Sequence, residues 1–360
     1  MTISLSGRNR MPAFGSDNMA GMSPQILEAL ARCNEGPARS YGADEVSARL
    51  ERRFAELFEH EISVLLVSTG TAANTLCLAA ATPPWGAVLC HPLSHIENDE
   101  CGAPEFFTGG AKLVPVEGPL AKIEPEALQV KARLGKGDVH SVQPACVSIT
   151  QATELGTLYT PDEVAALGAI CRESGLALHM DGSRFANALA ALDVSPAQMS
   201  WKAGVDLLSF GATKNGAMGV EAVIAFAPQR GHELELRRKR GGHLTSKMRF
   251  LAAQMEAYLA DDLWLGNARH ANAMAARLAR GLAGIEGVEV QEGARANILF
   301  CKLPEGMAAA LLDAGFYFYA DRWAPNVVRL VTSFATTAAD VDLFVAAARS
   351  FGMAPVAGRS

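Results

Sequence analysis

Lys214 is the residue of this sequence whose surroundings most favour covalent chemistry. It lies in the segment 209–216, between the apolar runs 205–208 and 220–226. Two buried strands joined by a glycine-containing loop would place the lysine at a strand end, where a ligand can approach the backbone closely. A buried ammonium loses solvation and its pKa falls, so the free amine can form a Schiff base with an aldehyde. A solvent-exposed loop lysine is the alternative explanation of this motif taken alone.

A carboxylate and a guanidinium, Asp181 and Arg184, follow the apolar residues 176–180. A strand over these residues places both groups at the carboxyl end of a β run, where ligands gather in open α/β sheets. An aspartate upstream of a loop lysine suits pyridoxal phosphate, because a carboxylate must keep the pyridine nitrogen protonated if the ring is to accept electrons. Asp181 and Lys214 together therefore predict such a site.

Thr69, Gly70 and Thr71 stand between a predicted strand at 64–67 and a helix rich in alanine and leucine. A small hydroxylated turn that opens a helix presents backbone N–H groups and hydroxyls to a phosphate, at the positive end of the helix dipole. Many helices begin in this way, so the triplet alone is weak evidence for a phosphate site.

Two motifs carry a resemblance to a known family. Residues 179–185, His-Met-Asp-Gly-Ser-Arg-Phe, and residues 211–216, Gly-Ala-Thr-Lys-Asn-Gly, resemble those of the low-specificity L-threonine aldolases, which are fold-type I pyridoxal phosphate enzymes. The resemblance extends over nearly the whole chain. It implies pyridoxal 5′-phosphate as the cofactor, a small amino acid as the substrate, and a homodimer or homotetramer whose active sites are shared between subunits.

The resemblance assigns roles at the cofactor. It implies that Lys214 binds the cofactor aldehyde, that Asp181 contacts the ring nitrogen, and that residues 69–71 bind the phosphate. Arg184 is implied to support Asp181 or the 3′-oxygen of the cofactor.

The loop 91–102 contains two histidines and several acidic residues. This composition could also indicate a metal site, but nothing in the spacing fixes the convergent geometry that a metal needs, and we predict none. The resemblance places a histidine of this loop flat against the pyridine ring. His95 matches better than His91, because Glu100 and Gly102 follow it as they do in the family. The imidazole could act on the substrate hydroxyl directly or through water.

The loop 150–157 departs from the family pattern. The commonest sequence there is Glu-Asn-Thr-His-Asn-Gly, whose histidine faces the substrate hydroxyl, and Glu154 takes the place of that histidine here. A carboxylate can also accept a proton, so aldol chemistry remains possible. The base that acts on the hydroxyl is then His95, Glu154 or a water between them, and the preferences for the aldehyde and for threo or allo substrates stay open.

Three residues are implied to bind the substrate. Arg329 lies in the otherwise apolar run 327–331, where an unpaired charge is costly. The resemblance makes it the clamp for the α-carboxylate, a task that suits a bidentate guanidinium. Ser16 is implied to assist it, although such a serine is also typical of a helix cap. Tyr41 is implied to reach the neighbouring subunit's site, although alone it would be a turn residue that packs on the next helix.

A basic run occupies residues 237–240, before two glycines. Such a run is typical of a solvated helix end or an anion-binding patch. The family carries an arginine at about this distance before paired glycines, where it reaches the cofactor phosphate. We assign that role to Arg237, and a shift of one residue would assign it to Arg238.

The composition describes an ordinary globular chain. Of its 360 residues, 49% are hydrophobic and 19% are charged, and the formal net charge is −6, which gives no basic footprint for nucleic acid. The seven cysteines are scattered without a Cys-x-x-Cys pair, as expected of reduced thiols in a cytosolic protein. We find no signal-peptide h-region and no run long enough to span a bilayer, and we predict a cytoplasmic location.

Predicted strands and helices alternate from residue 64 to residue 227, the pattern of a largely parallel sheet covered on both faces. Short alternating strands and helices follow. With the resemblance, this predicts the α/β class: a large domain with a mostly parallel sheet of the seven-stranded type flanked by helices, and a smaller α+β C-terminal domain. We place the N-terminal segment at 1–22, the large domain at 23–262 and the small domain at 263–360.

The resemblance implies reversible retro-aldol cleavage of L-threonine, L-allo-threonine and related L-β-hydroxy-α-amino acids to glycine and an aldehyde. One alternative is an aldolase that prefers phenylserine, and another is β-elimination or racemisation of a small amino acid, with Lys214 as the base at Cα. The cofactor cradle is shared across transaminases, lyases and racemases, so it cannot separate these reactions. A regulatory cofactor-binding domain is disfavoured, because no DNA-binding or effector segment is visible.

Overall fold

The computed structural model describes residues 12–352. Residues 1–11 and 353–360, which belong to the predicted N-terminal segment and small domain, lie outside the described residues.

A seven-stranded sheet forms the centre of the larger part of the chain. Its strands are β1 (Ser63–Val67), β2 (Gly86–Cys90), β3 (Lys112–Pro115), β4 (Gln143–Thr150), β5 (Ala177–Gly182), β6 (Leu207–Gly211) and β7 (Glu221–Ala225). Their spatial order is β1-β7-β6-β5-β4-β2-β3. Strands β6, β5, β4, β2 and β3 run parallel, whereas β7 is antiparallel to both of its neighbours. The predicted α/β class with a mostly parallel sheet is confirmed.

Helices cover this sheet. They are α1 (Pro24–Cys33), α2 (Glu45–Phe58), α3 (Gly70–Ala81), α4 (His95–Asn98), α5 (Ala103–Thr108), α6 (Pro125–Lys131), α7 (Pro161–Ser174), α8 (Phe185–Leu192), α9 (Pro196–Met199), α10 (Gly231–Arg240) and α11 (Arg249–Leu259). Helix α7 shows how local sequence sets the bounds: Thr160 and Glu163 form a capping box at its start, and Gly175 ends it in the left-handed conformation, at φ 70°. Helix α3 packs against β6 and β7, and most of its residues are buried. Its first turn lies at a cavity, beside the turn that follows β6.

A smaller antiparallel sheet follows the long helix α12 (Leu263–Ala283). It contains β8 (Glu289–Val290), β9 (Ile298–Lys302), β10 (Tyr319–Ala320) and β11 (Val327–Val331), in the order β10-β11-β9-β8, with helices α13 (Met307–Asp313) and α14 (Ala338–Gly352). From the sequence we also predict short strands at 288–290, 298–300, 316–318 and 327–331. The third of these is displaced to Tyr319–Ala320. The reason is that Tyr317 bridges instead to Ala13 of the N-terminal segment, and Phe316 and Phe318 pack on Phe344.

Helix α12 belongs to two hydrophobic cores. Trp264 and Ala268, in its first turns, pack in the core of the large sheet, whereas Leu278 and Leu282 pack in the core of the small sheet. Phe14 joins the second core, so the N-terminal segment packs against the small domain. The predicted boundary between residues 262 and 263 falls where α12 begins and stays a prediction. Among residues 12–352, no helix has the length and apolar character needed to cross a membrane.

Candidate active site

A cavity of about 280 Å³ lies at the carboxyl ends of β5 and β6, beside the start of α3. Its lining includes six chemically active positions: Thr69, Gly70, His95, Asp181, Lys214 and Glu221. Five segments of the chain therefore supply one site: the start of α3, helix α4, the end of β5, the turn after β6 and the start of β7.

Lys214 lies in a single 3₁₀ turn, Thr213–Asn215, between β6 and β7. Asn215 anchors this turn to the core, because its Nδ2 donates to Tyr258 Oη and to the Trp264 carbonyl, each over 2.8 Å. Gly211 lets the chain enter the turn: a Cβ there would lie 2.5 Å from the Ser183 carbonyl oxygen. The lysine is thus carried by a short and well-anchored segment.

Asp181 is buried at the end of β5. Its Oδ2 accepts from Asn74 Nδ2 over 2.9 Å, and its Oδ1 accepts from the Ser183 N–H over 3.0 Å. Burial alone raises the pKa of a carboxyl group, but the charges of His95 and Lys214 and these two hydrogen bonds outweigh it, so the pKa of Asp181 lies below its ordinary value. The group is a carboxylate at neutral pH.

The two histidines of the loop 91–102 differ in their surroundings. His95 Nδ1 contacts Glu100 Oε1 at 2.8 Å, and this hydrogen bond is the main reason that the pKa of His95 lies above its ordinary value. His91 is held by backbone groups, the Gly118 carbonyl at 3.1 Å and the Leu93 N–H at 3.0 Å. Of the two, His95 lines the cavity.

The start of α3 faces the cavity. Thr69 caps the helix by accepting from the Ala72 N–H over 3.1 Å, and a Cβ on Gly70 would meet nothing within 4 Å. The first backbone N–H groups of a helix have no intrahelical acceptor, so this turn offers donors to an anion. The phosphate role of residues 69–71 stays a prediction with which this open turn is compatible.

Glu221 is a buried acid that the sequence did not single out. It begins β7 beside Val67 and Gly211, and its Oε2 accepts from the Ala212 N–H over 2.7 Å. Burial raises its pKa to about 7, against the effect of Thr213, Ala212 and Lys214.

Arg184 has a different partner from the one expected. Its Nε and Nη2 donate to the two carboxylate oxygens of Asp17, over 2.8 and 3.0 Å, and it is not hydrogen-bonded to Asp181. Asn297 also donates to Asp17, over 3.0 Å. The buried ion pair therefore ties the N-terminal segment to α8 and to the start of β9. Asp17 could have been suspected from the sequence, because it directly follows Ser16, which the resemblance assigns to the substrate site.

Ser16 and Arg329 lie close together next to this ion pair. Arg329 Nη2 lies 3.5 Å from the Gly15 carbonyl, and Ser16 caps a 3₁₀ turn by accepting from the Asn18 N–H over 3.2 Å. Burial and the neighbouring charge of Arg184 lower the pKa of Arg329, which remains cationic. Its Nε has no hydrogen-bond partner among residues 12–352.

Glu154 is half-buried in the loop after β4. It does not line the cavity, but its charge contributes to the raised pKa values of His95 and Arg184 and acts on Arg329. Glu154 therefore lies near enough to His95, Arg184 and Arg329 to act on their charges.

Tyr41, Arg237 and Arg238 are not brought to the cavity of their own chain. Tyr41 is 50% exposed, with the ammonium of Lys239 5.3 Å from its ring centre. Arg237 pairs with Glu233, and Arg238 donates to the Leu66 carbonyl over 3.4 Å. Their assigned roles stay predictions.

Asn74 is the main residue that the sequence reasoning missed. Its Nδ2 donates to Glu100 Oε1 over 2.8 Å as well as to Asp181, so it joins the His95–Glu100 pair to the aspartate. The available signal was a lone polar amide in the alanine-rich helix, one turn after Gly70.

Pyridoxal phosphate fits this donor set. The open turn of α3 suits a phosphate, the ionised Asp181 suits a protonated ring nitrogen, and Lys214 suits an aldehyde. Two buried oxygens beside the cavity, Asn74 Oδ1 and Glu100 Oε2, have no partner among the described residues and leave acceptors for a bound group or for water.

Comparisons with known proteins give the same class. A family model described as Beta-eliminating lyase matches residues 13–303. The low specificity L-threonine aldolase of Pseudomonas aeruginosa is 45% identical over 306 residues, which cover 85% of this chain and 88% of that protein. The protein of the same name from Pseudomonas sp. is 43% identical, with the same coverage. Among solved structures, Leishmania major threonine aldolase superposes with a TM-score of 0.89 at 32% identity, over 95% of this chain and 99% of that chain.

Proposed function

The chain belongs to the family of the beta-eliminating lyases and low specificity L-threonine aldolases, and we propose that it cleaves L-threonine, L-allo-threonine and related L-β-hydroxy-α-amino acids to glycine and an aldehyde. It is a lyase that uses pyridoxal 5′-phosphate. The observation that carries the proposal is that Lys214 and the ionised Asp181 face one cavity whose third side is the open start of α3.

The residues of the cavity divide the work of holding the cofactor. Lys214 would bind the aldehyde carbon through Nζ, Asp181 would keep a proton on the ring nitrogen, and residues 69–71 would bind the phosphate. Bound pyridoxal phosphate withdraws electrons from a bond at Cα, which lets the Cα–Cβ bond of the substrate break. His95, which lines the same cavity, would hold the orientation of the ring.

The substrate must be held so that the Cα–Cβ bond is the one that breaks. Arg329 binds the α-carboxylate, and Ser16 donates a further hydrogen bond to it, which fixes the rotation about the bond to nitrogen. His95 accepts the β-hydroxyl proton at Nε2, because its Nδ1 is bound to Glu100. Glu154 remains the alternative acceptor, directly or through a water.

A product assay tests the proposed reaction. Purified protein supplied with pyridoxal phosphate is incubated separately with L-threonine and L-allo-threonine, and glycine and acetaldehyde are measured. We expect the two products in equal amounts. Pyruvate and ammonia from serine, or exchange of the Cα proton of alanine, without aldehyde from either threonine, would replace the proposal with elimination or racemisation.

Two substitutions test the assignment of Lys214. Lys214→Ala is expected to lose the visible absorbance of the lysine-bound cofactor and to lower kcat by about a thousandfold or more. Lys202→Ala removes a surface lysine paired with Glu59, and this control should keep both. An unchanged visible spectrum in Lys214→Ala would reject the assignment.

The choice between His95 and Glu154 as the base has its own test. If His95 accepts the proton, His95→Asn lowers kcat for L-threonine by about a hundredfold or more, whereas Glu154→Gln changes it much less. The opposite ranking would transfer the role to Glu154.

We also propose that the protein is a cytoplasmic homo-oligomer, a dimer or tetramer, in which Tyr41 and Arg237 serve the active site of the adjacent subunit. Support comes from the exposed apolar side chains near Arg237, since Phe106 is 78% and Leu236 59% exposed. Light scattering gives the oligomeric state. Comparison of Arg237→Ala with Arg238→Ala in cofactor titrations decides which arginine reaches the phosphate, and equal, unchanged affinities would reject both.

A further inference from the structure

A chain of contacts joins the loop that carries His95 to the strand that carries Arg329. Asp99 follows α4 directly, and its N–H donates to the His95 carbonyl over 2.8 Å. On the opposite side, Arg322 belongs to the segment between β10 and β11, and its Nη2 donates to Asp99 Oδ1 over 3.0 Å. An ion pair therefore links the small sheet to the catalytic loop of the large sheet.

The next residue, Trp323, continues this chain to Arg329. The guanidinium carbons of Arg322 and Arg329 lie 5.7 and 5.2 Å from its ring centre, within cation–π range. The Arg329 guanidinium also lies 5.1 Å from the ring centre of Tyr319, its cross-strand neighbour. Trp323 is itself packed edge-on against Phe300, with ring centres 4.9 Å apart.

These contacts matter because Arg329 has few others. Its Nη2 is at the hydrogen-bond limit of 3.5 Å from the Gly15 carbonyl, and its Nε is unpartnered among residues 12–352. The two aromatic rings are thus the main contacts of its guanidinium. Trp323 is packed between Phe300 and Arg322, and Arg322 is held in turn by Asp99.

We propose that Asp99, Arg322 and Trp323, here called the bridge, are positioning residues that fix the distance between the carboxylate clamp Arg329 and the base His95. This inference rests on the proposed function, in which one substrate molecule must reach both side chains at once. Loss of a bridge residue lets the clamp shift without removing it, so Arg329 and Ser16 still fix the rotation of the bound substrate. The carboxylate is bound more weakly in the ground state and in the transition state alike, and the bridge therefore acts mainly on KM.

Two single substitutions test the bridge. Arg322→Gln removes an exposed ion pair and is expected to raise KM for L-threonine about two- to fivefold, with kcat changed less than twofold. Trp323→Leu removes the ring beside Arg329 and is expected to raise KM about three- to twentyfold. Trp323→Phe keeps an aromatic face, so its KM should stay close to the wild-type value. A role that depends only on filling space would not require this difference between Phe and Leu.

The matched control is Arg277→Gln. Arg277 forms an equally short exposed pair with Asp342 between α12 and α14, at 2.8 Å, and takes no part in the bridge. Its removal should leave KM unchanged. Thermal unfolding of each variant separates an effect on KM from loss of the fold.

Charge reversal gives the sharpest test. Asp99→Arg alone places two cations together and should raise KM more than Arg322→Gln does, and the double variant Asp99→Arg/Arg322→Asp should return KM towards the wild-type value. The bridge is rejected if the wild type cleaves L-threonine but the single variants keep its KM, or if the reversed pair is no better than Asp99→Arg. A wild type that releases no glycine and aldehyde rejects the proposed function instead.

Discussion

Asn74 Nδ2 donates a hydrogen bond to Asp181 Oδ2 over 2.9 Å, and the same nitrogen donates to Glu100 Oε1 over 2.8 Å. One amide thus lies between two buried carboxylates and joins the group that faces the cofactor ring to the group that orients His95. A hydrogen bond to the charged form of a carboxyl group favours that form, so the amide of Asn74 contributes to the lowered pKa of Asp181.

Asn74→Ala is expected to lower the free energy of unfolding of the cofactor-free protein by about 1–3 kcal/mol, because two buried acceptors lose their donor. Cofactor affinity should fall as well, since Asp181 is then less readily ionised. Urea unfolding and a cofactor titration measure the two effects. Asn98→Ala, which removes hydrogen bonds to backbone carbonyls outside this group, should leave cofactor affinity unchanged.

Glu100→Gln is expected to shift the acidic limb of the pH profile of kcat/KM towards lower pH. The hydrogen bond that Glu100 accepts from His95 raises the pKa of the imidazole. A base works in its neutral form, so a lower pKa makes His95 available at lower pH. Rates for L-threonine between about pH 5 and about pH 9 measure the shift. The control is Glu97→Gln, which changes an exposed acid of α4, the helix that begins at His95. If the acidic limb of the profile does not move in Glu100→Gln, the role of His95 is contradicted.

Glu221 makes the stability of the protein depend on pH. Its pKa is about 7 in the folded chain against 4.5 ordinarily, so folding favours the protonated form. The contribution of Glu221 to the free energy of unfolding is therefore fully present below about pH 4.5 and is lost as the pH rises through about 7. The loss amounts to at most about 3 kcal/mol.

Glu221→Gln should abolish this loss, because the amide oxygen can still accept from the Ala212 N–H. In cofactor-free protein, the difference in unfolding free energy between variant and wild type should therefore grow in favour of the variant between about pH 4.5 and about pH 7. Glu59→Gln, at a surface pair, should show no such growth. A difference that is constant across this range would mean that Glu221 is ionised throughout.

The buried pair of Asp17 and Arg184 should be sensitive to the loss of one partner. Asp17→Leu leaves a buried guanidinium unpaired and is expected to cost about 3–5 kcal/mol of unfolding free energy. The double variant Asp17→Leu/Arg184→Met should recover much of that loss, because neither charge remains to be solvated. Urea unfolding measures both, and a double variant as unstable as the single one would show that the pair contributes by more than its charges.

Much of the large sheet could be predicted from the sequence. Each of its strands is a short apolar run bounded by glycine, proline or polar residues, and buried parallel strands are recognisable by this pattern. The prediction of a strand at 316–318 was wrong for a nonlocal reason. Tyr317 pairs with Ala13, some three hundred residues earlier in the chain.

Residue types and local patterns were enough to predict which reactive groups belong to the site. Lys214, Asp181, His95 and residues 69–71 carry groups whose reactivity depends on residue type and on a strand or helix end, which local patterns reveal. The side-chain partners could be known only from the tertiary structure. These pairs are Arg184 with Asp17, Asn74 with Asp181 and Glu100, Glu221 with the Ala212 N–H beside the lysine turn, and Arg322 with Asp99. These partners lie on separate elements, and the distance between two side chains depends on how the elements pack, which no local pattern records.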